Sequence, residues 1–219
     1  MANNTKNVDN TVQEVDAALS KTEQFVEKNK NIIMYALVGI IVLVAAVWGW
    51  NKISESNNEK AQEEIWASQL LFEQGQYEQA LEGFEALIDE YGSTKAGNLA
   101  KAYAGLCNKE LGNFDKAIDQ LKDFSGNDNV IAPAVLAAQG DCYVNQENAD
   151  NKKAAELFEK AAKAADNAQF SPLYLKKAGL AYEAAGDNAS ALKVYQAIKE
   201  NWAETLSAQT IDKYIERVK

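Results

Sequence analysis

Residues that commonly perform catalysis are scarce in this sequence. Its 219 residues include no histidine, a single arginine, no CxxC pair, no glycine-rich phosphate loop before a lysine and no GxSxG turn. The 32 aspartates and glutamates include enough carboxylates for paired acid–base chemistry, but on a helical surface such residues more often serve solvation. The sequence therefore predicts that the protein is not an enzyme and holds no cofactor or metal ion.

The two thiols are the remaining candidates for chemistry. Cys107 and Cys142 each follow a glycine, Gly105 and Gly140, by two positions, which places them at equivalent points of two helices. Neighbouring helices pack about 8–10 Å apart, whereas a disulfide needs Cα atoms within about 7 Å. We expect two free, buried thiols, and two cysteines without histidine are too few for a zinc site.

Composition favours an all-α fold. The chain has only two prolines and is rich in alanine, leucine, lysine and glutamate, which are strong helix formers. Its net charge is −10, and residues 1–52 hold five lysines and five acids, so the whole excess lies in residues 53–219. An acidic domain is repelled by phosphate groups, which disfavours binding to nucleic acid or anionic lipid heads, and high solubility is the simplest interpretation of the charge.

An uncharged run of nineteen residues, IIMYALVGIIVLVAAVWGW, extends from Ile32 to Trp50. A helix of about 20 apolar residues spans the hydrocarbon of a bilayer. Lysines flank the run, and Trp48 and Trp50 suit the membrane interface. A signal peptide is the main alternative, but the charged tail of 31 residues and the lack of a small-x-small site disfavour cleavage. A buried core helix seldom runs uncharged for so long, so we predict a single transmembrane anchor over residues 31–52.

Residues 1–30 form a polar tail in front of this anchor. Lys21, Lys28 and Lys30 precede the span, against Lys52 and Lys60 after it. This bias favours a cytoplasmic N-terminus and an extracytoplasmic C-terminal domain. The tail is predicted to be an amphipathic helix that lies on the membrane, pairs with a partner helix or frays, because one apolar stripe runs through Val8, Val12, Val15, Leu19 and Val26.

A repeated pattern fills most of the remaining chain. The stretch GQYEQALEGF from Gly75 returns as GNFDKAIDQL from Gly112 and as GDNASALKVY from Gly186. The first two glycines are 37 residues apart and the last two 74, which implies one further copy between them. That copy lies at Gly140–Ala161, where the polar stretch NQENADNK lengthens the turn by two residues. Such spacing is typical of stacked helix-turn-helix units, with a glycine at each turn and a small residue where two helices cross.

These copies resemble the tetratricopeptide repeat (TPR), whose unit of about 34 residues consists of two antiparallel helices. The resemblance covers about residues 61–200. It implies a linker at 53–60, a repeat domain at 61–203 and a capping helix at 204–219. The sequence departs from the family pattern at Asn108 and Asn188, where an aromatic residue is usual. The matching residues are Ala67, Ser68, Gly75, Tyr77, Ala80 and Phe84 in the first repeat, Ala104, Gly105, Gly112, Phe114, Ala117 and Leu121 in the second, Gly140, Tyr143, Ala154, Phe158 and Ala161 in the third, and Ala178, Gly179, Tyr182, Gly186, Ala191 and Tyr195 in the fourth.

In stacked repeats of this kind the first helices line a concave groove that binds other proteins. The family's carboxylate clamp, which uses lysine and asparagine at first-helix positions, is not expected here, because those positions hold Ile65, Gln69, Tyr103, Ala134 and Ala138. The repeat register predicts that the groove is lined by Gln62, Ile65, Gln69, Phe72, Leu99, Leu106, Lys109, Val144, Leu173, Lys176 and Glu183.

The order of a polar tail, one span and a small acidic TPR domain resembles the bacterial YfgM-like proteins, as does the segment ALSKTEQFVEKNKN before the span. That resemblance implies an inner-membrane protein with periplasmic repeats. It also implies an ancillary subunit of the Sec translocon that binds periplasmic chaperones or newly exported proteins. Two alternatives stay open: a structural scaffold of a cell-envelope assembly or secretion complex, and an inverted receptor with cytosolic repeats.

Overall fold

A computed structural model describes the backbone of residues 3–219 and the side chains of residues 25–219. Within that range the protein is all-helical and contains no strand, which confirms the predicted fold class. The helices are α1 (Asn3–Glu73), α2 (Tyr77–Tyr91), α3 (Lys95–Glu110), α4 (Phe114–Asp123), α5 (Ile131–Asn145), α6 (Asn151–Ala165), α7 (Ser171–Ala184), α8 (Asn188–Asn201), α9 (Leu206–Gln209) and α10 (Asp212–Val218).

The chain divides into two units, residues 1–53 and residues 54–219. The first unit is helical from Asn3 onward, and its apolar run is exposed along its length; Ile41 is 67% exposed and Trp50 is 73% exposed. This is the one helix in the described part of the chain that is long and apolar enough to cross a membrane. Except for Val26, the predicted amphipathic stripe of the tail lies outside the described side chains.

The second unit is a series of helical hairpins. Residues 54–73 of α1 pair with α2, and the pairs α3/α4, α5/α6 and α7/α8 follow. Residues 54–60, predicted as linker, belong to α1. The turns of the first, second and fourth hairpins contain Gly75, Gly112 and Gly186 at φ values of 74°, 78° and 76°. Only glycine adopts this left-handed backbone without cost, which explains why a glycine recurs at these three turns.

The two helices of each hairpin cross at a small residue. A Cβ added to Gly105 would lie 2.5 Å from Leu121 Cγ, and one added to Gly140 would lie 2.8 Å from Phe158 Cε1. In the fourth hairpin a Cβ at Gly179 would overlap the ring of Tyr195. In these three hairpins a glycine therefore lies opposite a bulky residue where the two helix backbones approach closely, as the sequence predicted.

The stack ends in a cap that differs from the predicted single helix. Residues 204–219 form α9 and α10, separated at Thr210 and Ile211. The Thr205 hydroxyl caps α9 by accepting a hydrogen bond from Ala208 N, whereas the Thr210 hydroxyl donates to Ser207 O at 3.3 Å. The bend brings Ile211 into full burial, and Ile215 and Val218 join it in the last core cluster. Burial of these three side chains covers the open end of the stack.

Candidate protein-binding surface

First helices of successive hairpins approach one another directly. Residues of α3 contact α5. Asn58 Oδ1 of α1 accepts a hydrogen bond from Ala96 N of α3 at 3.0 Å. Lys177 Nζ of α7 contacts both carboxylate oxygens of Asp141 of α5 at 2.8 and 2.9 Å. The first helices are therefore neighbours along the array, and the repeat architecture predicts that they line the groove.

Several predicted apolar groove residues serve packing instead. Ile65 is 6% exposed and belongs to the core between the first two hairpins. Phe72 is half-buried, with its ring centroid 5.4 Å from that of Tyr77 and 5.5 Å from that of Tyr103. Leu99 and Leu106 are also half-buried against core clusters. These four side chains contribute mainly to packing and leave little area for a ligand.

Three predicted or register-equivalent groove positions in the third and fourth hairpins are apolar and exposed. Val144 is 39% exposed and Leu173 is 50% exposed. Leu180, which the sequence analysis missed, is 41% exposed. It follows Gly179 as Leu106 follows Gly105, so the repeat register itself was the signal that would have found it. These three side chains are the exposed apolar candidates for contact with a protein partner.

Polar groove residues are partly engaged by their neighbours. Gln62 is exposed and Gln69 is half-buried. Lys109 Nζ pairs with Glu110 Oε1 at 2.7 Å. Lys176 lies with its ammonium group 4.8 Å from the centroid of the Tyr214 ring, a cation–π contact.

A sequence profile of the tetratricopeptide repeat-like domain matches residues 23–214. The chain belongs to this family. Its TPR-like repeats are also similar to crystal structures of nearly identical TPR-like repeats from a putative kinesin light chain of Podosopora anserina. One structure is 15% identical with a TM-score of 0.58, and covers 74% of this chain and 86% of that one. A second structure, of a point variant of the same repeats, is 14% identical with the same TM-score, and covers 74% and 85%. No curated protein matches the sequence.

At these identities the likeness to the solved structures concerns the fold alone. TPR-like arrays present extended concave surfaces to other proteins, and the fold is typically a non-enzymatic scaffold. The TPR-like chain is thus built as a protein-interaction adaptor or scaffold, and its partners are proteins.

Glu183 is the most heavily bonded of the predicted groove residues in the TPR-like domain. Its Oε1 accepts hydrogen bonds from Tyr195 Oη at 2.5 Å and from Arg217 Nη2 at 2.7 Å. Burial by itself would raise the pKa of Glu183, but the hydrogen bonds from Arg217 and Tyr195 outweigh it and lower that pKa. Burial and the bond to Glu183 raise the pKa of Tyr195. This network ties α7 and α8 to the cap helix α10, so Glu183 is held by the fold.

Both thiols of the TPR-like domain are free and fully buried, as predicted. Cys107 lies in the core between the first and second hairpins, and Cys142 in the core between the second and third. Burial raises the pKa of Cys107 to about 12 and that of Cys142 to about 11. Since the thiolate is the reactive form, both thiols act as packing groups at neutral pH.

Proposed function

We propose that the protein is a membrane-anchored TPR adaptor whose groove binds protein segments close to a membrane. One observation carries the proposal: the uncharged face of residues 32–50 is exposed in a chain that also folds a protein-binding array. Nineteen apolar residues in water would cost a large hydrophobic free energy, which insertion into lipid removes. The anchor therefore holds the repeats at a membrane surface.

The lysine bias around the span supports a cytoplasmic N-terminus and extracytoplasmic repeats. In a bacterium, this topology puts the repeat domain in the periplasm. Together with the resemblance to YfgM-like proteins, it supports an inner-membrane adaptor associated with the Sec translocon that binds periplasmic chaperones or newly exported proteins. Tethering raises the effective concentration of the groove at the exit site, so contacts that are weak in solution become sufficient.

The span also has a surface for close helix packing. Added Cβ atoms at Gly39 and Gly49 would meet nothing within 4 Å, so both glycines are open to a neighbouring helix. Small residues allow transmembrane backbones to approach closely. This supports docking of the span beside another membrane protein, for which a translocon subunit is the proposed partner.

Crosslinking in living cells, followed by purification in mild detergent and mass spectrometry, tests this function. We expect residues 1–52 to link to translocon subunits, and the repeats to link to chaperones or exported chains. Crosslinks from the repeats to cytosolic proteins alone would reverse the proposed orientation. Crosslinks to fixed envelope subunits alone would favour the scaffold alternative.

Substitution of the exposed apolar groove residues is expected to weaken partner capture. Val144→Ser together with Leu173→Ser removes apolar contact area from the proposed groove, and we expect about a tenfold loss of affinity for a crosslinked partner. Both side chains are exposed, so the far-ultraviolet circular dichroism spectrum and the unfolding midpoint should stay close to those of the parent. Binding is measured by titration of the purified partner.

Phe72→Ala and Leu106→Ala are less suitable for this test, because both side chains also pack against the core. A matched control is Leu206→Ser, since Leu206 is 80% exposed and lies in α9, outside the four hairpins. Equal affinities for the parent and the double variant would rule out binding at this part of the groove.

A further inference from the structure

An exposed apolar pair lies on the first helix of the array, on the side that faces away from α2. Trp66 is 66% exposed and Leu70 is 39% exposed, and they are one helical turn apart in α1. The opposite side of this helix, with Ala61 and Ile65, packs into the core of the first two hairpins. Tryptophan is costly to leave in water, because its large ring contributes much apolar area.

Equivalent positions in the second and fourth hairpins contact the second helix of the preceding hairpin. Trp66 stands two residues before Ser68, as Tyr103 stands two before Gly105 and Lys177 two before Gly179. The Tyr103 ring stacks on Phe84 of α2 with centroids 5.0 Å apart, and Lys177 Nζ lies 5.3 Å from the centroid of Phe158 of α6. In these two repeats the position thus lies over an aromatic ring of the preceding second helix. In the described part of the chain no hairpin precedes the first repeat. Trp66 therefore has no ring of a preceding second helix to pack against.

Acidic side chains frame the apolar pair. Glu55, Glu59, Glu63 and Glu73 are all exposed, and their spacings of 11, 7, 3 and 7 residues from Trp66 put them on the same side of the helix. Among the side chains that the structure describes, none of the four forms an ion pair. Between residues 53 and 74 the only basic residue is Lys60. The face therefore combines an apolar centre with a negative rim.

We propose that this face binds a basic amphipathic helix of a partner protein, in the place that a preceding second helix would occupy. Apolar residues of that helix cover Trp66 and Leu70, and its lysines or arginines pair with the four glutamates. A second copy of this chain would bring the same carboxylates against each other, which is repulsive. An anionic lipid surface would be repelled for the same reason. Charge complementarity thus selects a basic protein helix.

A defined peptide pair tests the proposal on the full chain in non-ionic detergent. The first peptide is an amphipathic helix of about 18 residues of leucine and lysine, long enough to form five turns, and the second replaces every lysine with glutamate at unchanged leucine positions. Binding is followed by fluorescence anisotropy of the labelled peptide, with detergent micelles alone as the reference. We expect the lysine peptide to bind at least about tenfold more tightly than the glutamate peptide, and its affinity to fall as salt is raised.

Variants locate the binding. Trp66→Ala and Leu70→Gln should each lower the affinity for the lysine peptide by about tenfold or more. Glu59→Gln with Glu63→Gln should lower that affinity several-fold and reduce its dependence on salt. Glu78→Gln with Glu82→Gln on α2, and Leu206→Ala at the other end of the array, are matched controls and should leave the affinity unchanged. Because Trp66 and Leu70 are exposed, the variants should keep the helical circular dichroism of the parent.

If the control variants lose as much affinity for the lysine peptide as the face variants do, the proposal is overturned, since this would indicate general attraction to an acidic surface. An unchanged affinity in Trp66→Ala would overturn it too. A dimer in sedimentation that Trp66→Ala converts to a monomer would overturn it by showing that a second copy occupies the face. The groove variant Val144→Ser with Leu173→Ser should bind the peptide normally, so failure of this inference is distinguishable from failure of groove binding.

Discussion

Replacement of Gly179 with alanine is expected to destabilise the repeat domain by about 3 kcal/mol. The added Cβ would overlap the ring of Tyr195, which is fully buried and bonded to Glu183. Alanine would gain about 1 kcal/mol of helix propensity over glycine, but that gain is smaller than the cost of forcing a buried ring and a helix backbone apart. The change is measured by urea unfolding of the full chain in detergent, followed by far-ultraviolet circular dichroism.

Gly186→Ala is the comparison variant for this experiment. Gly186 stands in the turn of the same hairpin at a φ of 76°, and an added Cβ would meet nothing within 4 Å. Its cost is therefore backbone strain alone, about 1 kcal/mol. If both variants lose the same stability, the contact between Gly179 and Tyr195 does not hold the hairpin together as described.

Removal of the Glu183 carboxylate is expected to destabilise the end of the array by about 2 kcal/mol at neutral pH. Glu183→Ala leaves the hydroxyl of the buried Tyr195 and the Arg217 guanidinium without this shared acceptor. Glu183→Gln keeps one oxygen as an acceptor for Tyr195 but loses the charge, so the loss of stability should be about half as large as in Glu183→Ala. The comparison of the two variants separates the hydrogen bond from the ion pair.

The same network predicts a pH dependence. The pKa of Glu183 is lowered in the folded protein, so its stabilising effect is fully present above the unfolded pKa of about 4.3 and is lost as the pH falls through the folded pKa. The stability difference between the parent and Glu183→Gln should therefore shrink below about pH 4. Asp128 and Asp187, whose pKa values are also lowered, act equally in both proteins and cancel in the difference. A difference that stays constant down to about pH 3 would contradict this account.

Local features of the chain were predictable because they depend on short-range rules. A glycine at a left-handed turn and a small residue at a helix crossing recur at fixed spacing, so the period of 37 residues predicted the hairpins and their order. The nineteen uncharged residues likewise predicted one long apolar helix. The two buried thiols followed from their equivalent positions in first helices.

Exposure of individual groove residues was harder to predict, because it depends on what packs over them. Ile65, Phe72 and Leu106 share the register of groove residues, yet neighbouring hairpins bury or half-bury them. Glu183 shares it as well, but Arg217 from the cap and Tyr195 from α8 engage its carboxylate. These contacts join residues 12 and 34 positions apart in the chain, so no local pattern contained them.

By itself, the sequence determined the helical class, the number of hairpins, their turns and the apolar run, because each depends on local patterns or on their repetition at a fixed period. Only the tertiary structure decided which residues face solvent. Trp66 and Tyr103 hold the same place in their repeats, but Tyr103 stacks on Phe84 and Trp66 is left open. The physical reason is that burial depends on neighbours: the first repeat lacks the preceding second helix on which Tyr103 of the second repeat stacks.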